Sequence, residues 1–197
     1  MKKLIIILFA LFFVTAPKAQ DFKANITTAR TAYAANKLED AHFALQQALA
    51  EIDMIIGKEV LKLLPAKMDT ATVNTSDDHV TSNVGFVGAT VHRSYGTPGK
   101  AEIEIISNSP MVASLNAILN MPLLGGMIRD ENNKTVKVQG YKGRLEKQQG
   151  SDAQLTYVLQ LPFSGALLTF TVHNTSEAEI TTLANTLPLQ QIAKLVQ

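Results

Sequence analysis

The sequence predicts an α+β domain: an N-terminal helical hairpin, then an antiparallel sheet of about six strands packed by a central amphipathic helix and a C-terminal helix. Three observations predict it. Apolar residues recur at spacings of three and four across residues 21–64. Strict alternation follows in AEIEI (residues 101–105) and in LTYVLQLPF (residues 155–163). Between those strands lies a run without a charged side chain, residues 105–128, which opens with helix-start signals. Helices and strands that alternate in blocks suit a layered domain around one sheet.

Residues 1–20 read MKKLIIILFALFFVTAPKAQ. Lys2 and Lys3 precede an apolar stretch, residues 4–14, and Ala16 and Ala19 offer small side chains to a peptidase. That is the layout of a secretory signal, and the apolar stretch is short for a bilayer span. The expectation is a bacterial signal peptide over residues 1–19, a periplasmic or secreted protein, and no stable membrane span after its removal. Without Lys2, Lys3 and Lys18 the 18 basic residues fall to 15 against 17 acidic ones, a net charge of about −2. Such a surface does not concentrate polyanions, which argues against nucleic acid as the main partner. The chain has no cysteine. Thiol nucleophiles, redox pairs and thiolate metal sites are therefore excluded.

The hairpin is expected over residues 20–64, as part of the same domain or as a small subdomain. Ala29, Ala32 and Tyr33 mark a first helix. Leu38, Ala41, Leu45, Ala48, Leu49, Ile52, Ile55 and Ile56 mark a longer second one. Asn36-Lys37 interrupts the pattern as a tight turn, and Leu64-Pro65 stops the second helix. Gly57 weakens that helix by ~1 kcal/mol relative to Ala and marks a possible bend. The segment AYAANKLEDAHFALQQAL resembles half of a tetratricopeptide repeat. A solenoid needs about three repeats, so a single hairpin is expected to pack on its own domain.

Residues 65–197 should form the sheet domain. Residues 66–83 are turn-rich and read as an exposed loop with a short strand near Ala71 to Val73. In residues 86–95, Val87, Ala89, Val91 and Tyr95 share one face. Gly96-Thr97-Pro98-Gly99 is a turn, and the strand Ala101, Ile103, Ile105 completes a hairpin. Residues 134–148 read as one strand, with Gly140 as a bulge that shifts the register. Two further strands follow at 154–163 and 166–173. Thr175-Ser176-Glu177 begins a final helical region that offers Leu183, Leu187, Ile192 and Leu195 for packing and is divided by Pro188.

In the uncharged run, Ser109 is a good N-cap and Pro110 suits the first helical position. Met111, Val112, Leu115, Ile118 and Leu119 then form a stripe, and Pro122 ends the helix. Burying all five would contribute about 7–15 kcal/mol before ordering costs. Leu123, Leu124 and Met127 follow on a Gly125-Gly126 segment and are surplus to that stripe. They are candidate gate residues of a flap. An apolar ligand site, if one exists, is expected at Met111, Leu115, Leu123, Leu124 and Met127, where methionines suit adaptable contacts.

Chemistry-bearing patterns are sparse. His42, His79, His92 and His173 stand at no ligand spacing, and HExxH, GxSxG, SxxK and phosphate or dinucleotide loops do not occur. His79 follows Asp77 and Asp78 in what reads as a solvated loop. His42, beside Phe43, reads as structural. His92 and His173 fall on the polar side of strands. Glu102 and Glu104 stand roughly 7 Å apart on one strand face, which the neighbouring residues make a solvated surface rather than a glycosidase pair. No catalytic residue, metal site or cofactor is expected.

IGKEVLKLLPAKM, ATVHRSY, AEIEIISNSPMVASLNAILNMP, VKVQGYKGRLE and a closing helix with an acidic start follow one another over about residues 55–197. In that order the chain resembles a group of exported bacterial proteins. It is also similar, in topology, to the PsbP and Mog1-like α/β/α fold. The resemblance implies a fold and a compartment and no catalytic residues. Where those proteins carry Gly-Trp after the Leu-Pro, this chain reads MDTATV and has no tryptophan. The expected function is that of an exported, non-enzymatic accessory protein that binds a hydrophobic small molecule or an envelope protein. The alternatives are an interaction module using the hairpin and a hydrolase with a dispersed site.

Overall fold

The structure, a computed structural model, describes residues 20–82, 84, 88–97, 99–120, 132–150, 154–163 and 165–196. Two helices come first, α1 (Gln20–Ala34) and α2 (Leu38–Leu63). Asn36 adopts the left-handed conformation (φ 57°), and the Lys37 N–H returns to the Ala32 carbonyl. Asparagine tolerates that conformation better than most residues, so α1 ends there and the chain reverses.

Four strands follow: β1 (Lys67–Met68), β2 (Ala71–Ser82), β3 (Ala89–Tyr95) and β4 (Ala101–Ser107). Next come α3 (Met111–Asn120) and four more strands: β5 (Asn133–Val138), β6 (Tyr141–Gln149), β7 (Leu155–Pro162) and β8 (Ala166–His173). The helices α4 (Glu177–Ala184) and α5 (Leu189–Leu195) close the chain. The strands form one antiparallel sheet in the order β1-β2-β3-β4-β8-β7-β6-β5. The fold is α+β, with five helices and eight strands among the described residues.

Eight strands replace the expected six for two physical reasons. Residues 66–82 are not a loop with one short strand: β1 pairs with β2, and β2 runs along β3 to Ser82. Its polar composition hid it, because half of its side chains are exposed and the ladder shifts between Asn74 and His79. Residues 134–148 are not one bulged strand. Gln139 and Gly140 both have positive φ (48° and 91°) and form a two-residue turn that sets Val138 opposite Tyr141. Two successive positive φ values define the type I′ turn, which matches the twist of antiparallel strands.

The sheet carries helices on both faces. On one face lie Val91, Tyr95, Ile103, Ile105, Leu159, Leu161, Leu168 and Phe170. They pack with Val60 of α2, with Leu64 just past its end, and with Ile180, Leu187, Leu189 and Ile192 of the C-terminal helical region. Ser176 caps α4, its hydroxyl accepting the Glu179 N–H at 3.2 Å. On the other face, α3 buries Val112, Leu115 and Leu119 against Leu167. The stripe on α3 is therefore narrower than expected, because Met111 and Ile118 are exposed. Val87 and Pro98 lie outside the described residues.

Candidate functional site

Alanine builds the interface between α1 and α2. Ala29 and Ala32 of α1 and Ala41, Ala44 and Ala48 of α2 are buried. Small side chains let the helix axes approach closely, so little else can be buried there. At about 100° per residue, Leu38, Leu45, Leu49 and Ile52 fall within one sector roughly 60° wide beside the alanine seam. They remain 58, 47, 61 and 38% exposed. The hairpin's packing leaves α2's main aliphatic row outside.

α1 adds to the same edge. Ile26 and Tyr33 project next to Ala29, and Tyr33 is 72% exposed. The other edge of the seam is a shallow groove that includes Thr28, Ala32, Phe43 and Gln47. Ile26 and Tyr33 therefore share the edge with Leu45 and Leu49. Together the six side chains form an exposed, largely aliphatic surface. The largest apolar patch on a monomer is often functional. A tyrosine at the rim brings a large apolar body with a hydroxyl handle, as contact surfaces favour.

The far end of α2 is held differently. Gly57 touches β2 and β3 so closely that an added Cβ would stand 2.5 Å from Val80 Cγ1 and 3.2 Å from Val91 Cγ2. Arg93, on β3, donates from Nε and Nη2 to the Asp78 carboxylate at 2.9 and 2.6 Å. Its Nη1 donates to the Leu64 carbonyl at 2.9 Å. The Tyr95 hydroxyl donates to the Pro65 carbonyl at 2.9 Å. Leu64 and Pro65 supply carbonyls where the helical ladder ends, so two β3 side chains satisfy groups the helix leaves open. Burial pushes the Tyr95 phenol up to about 12, with the Arg93 guanidinium pulling weakly the other way. Beside Asp78, Arg93 is held even more firmly protonated than an ordinary arginine.

The residues expected at an apolar ligand site are only partly brought together. Leu115 is 6% exposed and packs against Leu167, so it is a core side chain in this state. Met111 is 55% exposed on the outer side of the same helix. Leu123, Leu124 and Met127 lie outside the described residues. His42, expected to be structural, is exposed. Leu45 and Ile52, natural candidates for the core on spacing alone, are the exposed row. The short sequence signal for this was the alanine pattern: a seam of alanines cannot also bury the leucines a quarter-turn away.

The chain matches no protein-family model and no curated protein. Its function is read from the molecule alone. Among the described residues no helix is long and apolar enough to cross a membrane.

Proposed function

We propose that this is an exported, non-enzymatic binding protein whose helical hairpin docks a partner protein of the bacterial envelope. The observation that carries the reading is the exposed row Leu38, Leu45, Leu49 and Ile52. An aliphatic row on one helix, flanked by Tyr33 and Ile26, suits an amphipathic helix of the partner laid along the seam. The export part rests on the arrangement of residues 1–19 and on the segment resemblance to exported bacterial proteins over about residues 55–197. The sheet domain then serves as the rigid base that holds α2 by its far end.

The test is the double substitution Leu45→Ser, Leu49→Ser in the full chain. Cross-linking in the producing cell, followed by purification, should recover a partner with the unsubstituted protein and lose it with the double variant. The melting temperature should stay within about 2 °C, because both positions are largely exposed. Undiminished recovery of the same partner would refute the assignment. A dimer of the chain that the double variant abolishes would identify the partner as a second copy.

A second reading places an apolar ligand at α3, against Met111 and Leu115. It is favoured by Met111 and Ile118, which are exposed on that helix. Detergent-like or fatty probes should then shift the NMR signals of Met111 and Leu167 while leaving Leu45 unmoved.

A further inference from the structure

The chain separates its histidines widely, yet the sheet brings two of them together. His79 on β2 stands directly opposite His92 on β3. Their rings stack with centroids 4.7 Å apart and planes 22° from parallel. The next strand carries Glu104 directly opposite His92. His92 lies between Val91 and Arg93, and Glu104 between Ile103 and Ile105, all of which point to the other face. The three side chains therefore project from one face on three neighbouring strands. The helix on that face, α3, makes its main contacts with β6, β7 and β8.

The hydrogen bonds around the pair select a tautomer. His79 Nδ1 is 2.9 Å from the Asp77 backbone carbonyl. A carbonyl can only accept, so in the neutral ring Nδ1 carries the proton and Nε2 keeps its lone pair. A ring held through Nδ1–H to a carbonyl, with Nε2 free to coordinate, is the usual state of a metal-ligating histidine. The nearby acids sort themselves clearly. Asp77 Oδ2 is occupied by Asn74 Nδ2 at 2.6 Å and Ser94 Oγ at 2.7 Å. Asp78 turns to the opposite face and is taken by Arg93. Glu104 is exposed on the histidine face.

We propose that His79 and His92 are the anchoring pair of a site for a divalent transition metal of the zinc and copper class, with Glu104 as third ligand. Two imidazoles and one carboxylate suit such ions, with remaining positions filled by water. Among the described residues no three such groups are already converged for a metal. The ion must therefore turn the two rings out of their stack, and the strand pairing keeps that change to side-chain rotations. Direct cross-strand placement prepays most of the cost of bringing two ligands together. The site is independent of the hairpin, on a different element and the other face of the sheet.

The experiment is calorimetric titration of Zn²⁺ into the full chain, with ¹⁵N NMR of the imidazole nitrogens. One equivalent should bind, and Nε2 of two rings should shift. His79→Ala and His92→Ala should each weaken binding by on the order of tenfold or more, the scale on which even outer-shell changes act. Glu104→Gln should weaken it less, while His42→Ala and His173→Ala should leave it unchanged. His79 is exposed, so its variant keeps the test valid should His92→Ala disturb the strand. Absence of saturable binding to the unsubstituted chain would overturn the proposal. Binding that persists undiminished in folded His79→Ala protein would overturn it equally.

Discussion

The two halves of α2 follow different packing rules. From residue 38 to about residue 52 the helix touches α1 through alanines and leaves its leucines in solvent. From Gly57 to Leu64 it is pressed into the sheet, with Val60 and Leu64 almost fully buried and the terminal carbonyls claimed by Arg93 and Tyr95. Periodicity is the same in both halves. What differs is the neighbour: a thin helix that needs only a methyl seam, or a sheet that accepts whole side chains. A hydrophobic stripe along a helix thus marks what could be buried, and the partner element decides what is.

The largest break in the contrast should come from Arg93. Arg93→Ala leaves Asp78 and the Leu64 carbonyl without their partner in a site where the Arg93 and Asp78 side chains are only 11 and 13% exposed. Removing one member of a buried pair costs about 3 kcal/mol or more. For a chain of this size that lowers Tm by roughly 6–12 °C, measurable by calorimetry. The paired replacement Arg93→Met, Asp78→Leu should recover most of the loss, since well-packed apolar side chains often replace a buried ion pair without penalty. An unchanged Tm in Arg93→Ala would mean that Arg93 does not anchor the end of the helix.

A smaller effect sharpens the contrast from within the helix. Gly57→Ala gains ~1 kcal/mol of helix propensity. Its methyl must also displace Val80 and Val91, which are β-branched and stiff, at about 1–3 kcal/mol. The net expectation is a Tm lower by a few degrees. Leu49→Ala removes far more volume from the other half, yet it should shift Tm by no more than about 2 °C because Leu49 is 61% exposed. Adding one methyl at Gly57 should thus do more harm than deleting three carbons at Leu49. The reverse order would show that the hairpin edge is covered within the folded chain.

Much of this architecture was legible in the sequence where a local rule acted alone. The turn at Asn36-Lys37, the Ser109 and Ser176 starts and the faultless alternation of β7 each depend on a few adjacent residues. The misreadings arose where pairing decided. β2 is mostly polar, with only Ala71, Val73 and Val80 turned to the core, and becomes a strand because β3 lies beside it. Residues 134–148 carry an apolar pattern that a bulge or a turn would satisfy equally, and only the second strand of the hairpin chooses between them. His79 and His92 meet through that same β2 register. Likewise the exposure of Leu45 follows from where α1 packs, which the alanine seam marks and the leucine spacing along α2 does not.

The smallest expected effect lies at the junction of the two halves. Asp53 sits one turn before Gly57, half-buried, and burial raises its carboxyl above the ordinary value of 3.8. A raised acid pKa means that the folded state holds its proton to higher pH than the unfolded chain does. Stability therefore falls as pH rises through that interval and stays reduced at neutral pH, where the carboxylate is charged in both states. Asp53→Asn should raise Tm slightly at pH 7, and the gain should shrink on acidification and vanish below the ordinary aspartate range. Thermal melts of both proteins from pH 7 to pH 3 would show it. A difference that stays constant over that range would trace the gain to something other than the charge. In that case the junction is not a place where the sheet begins to desolvate the helix, and the change from open to buried packing must occur further along, at Gly57 itself.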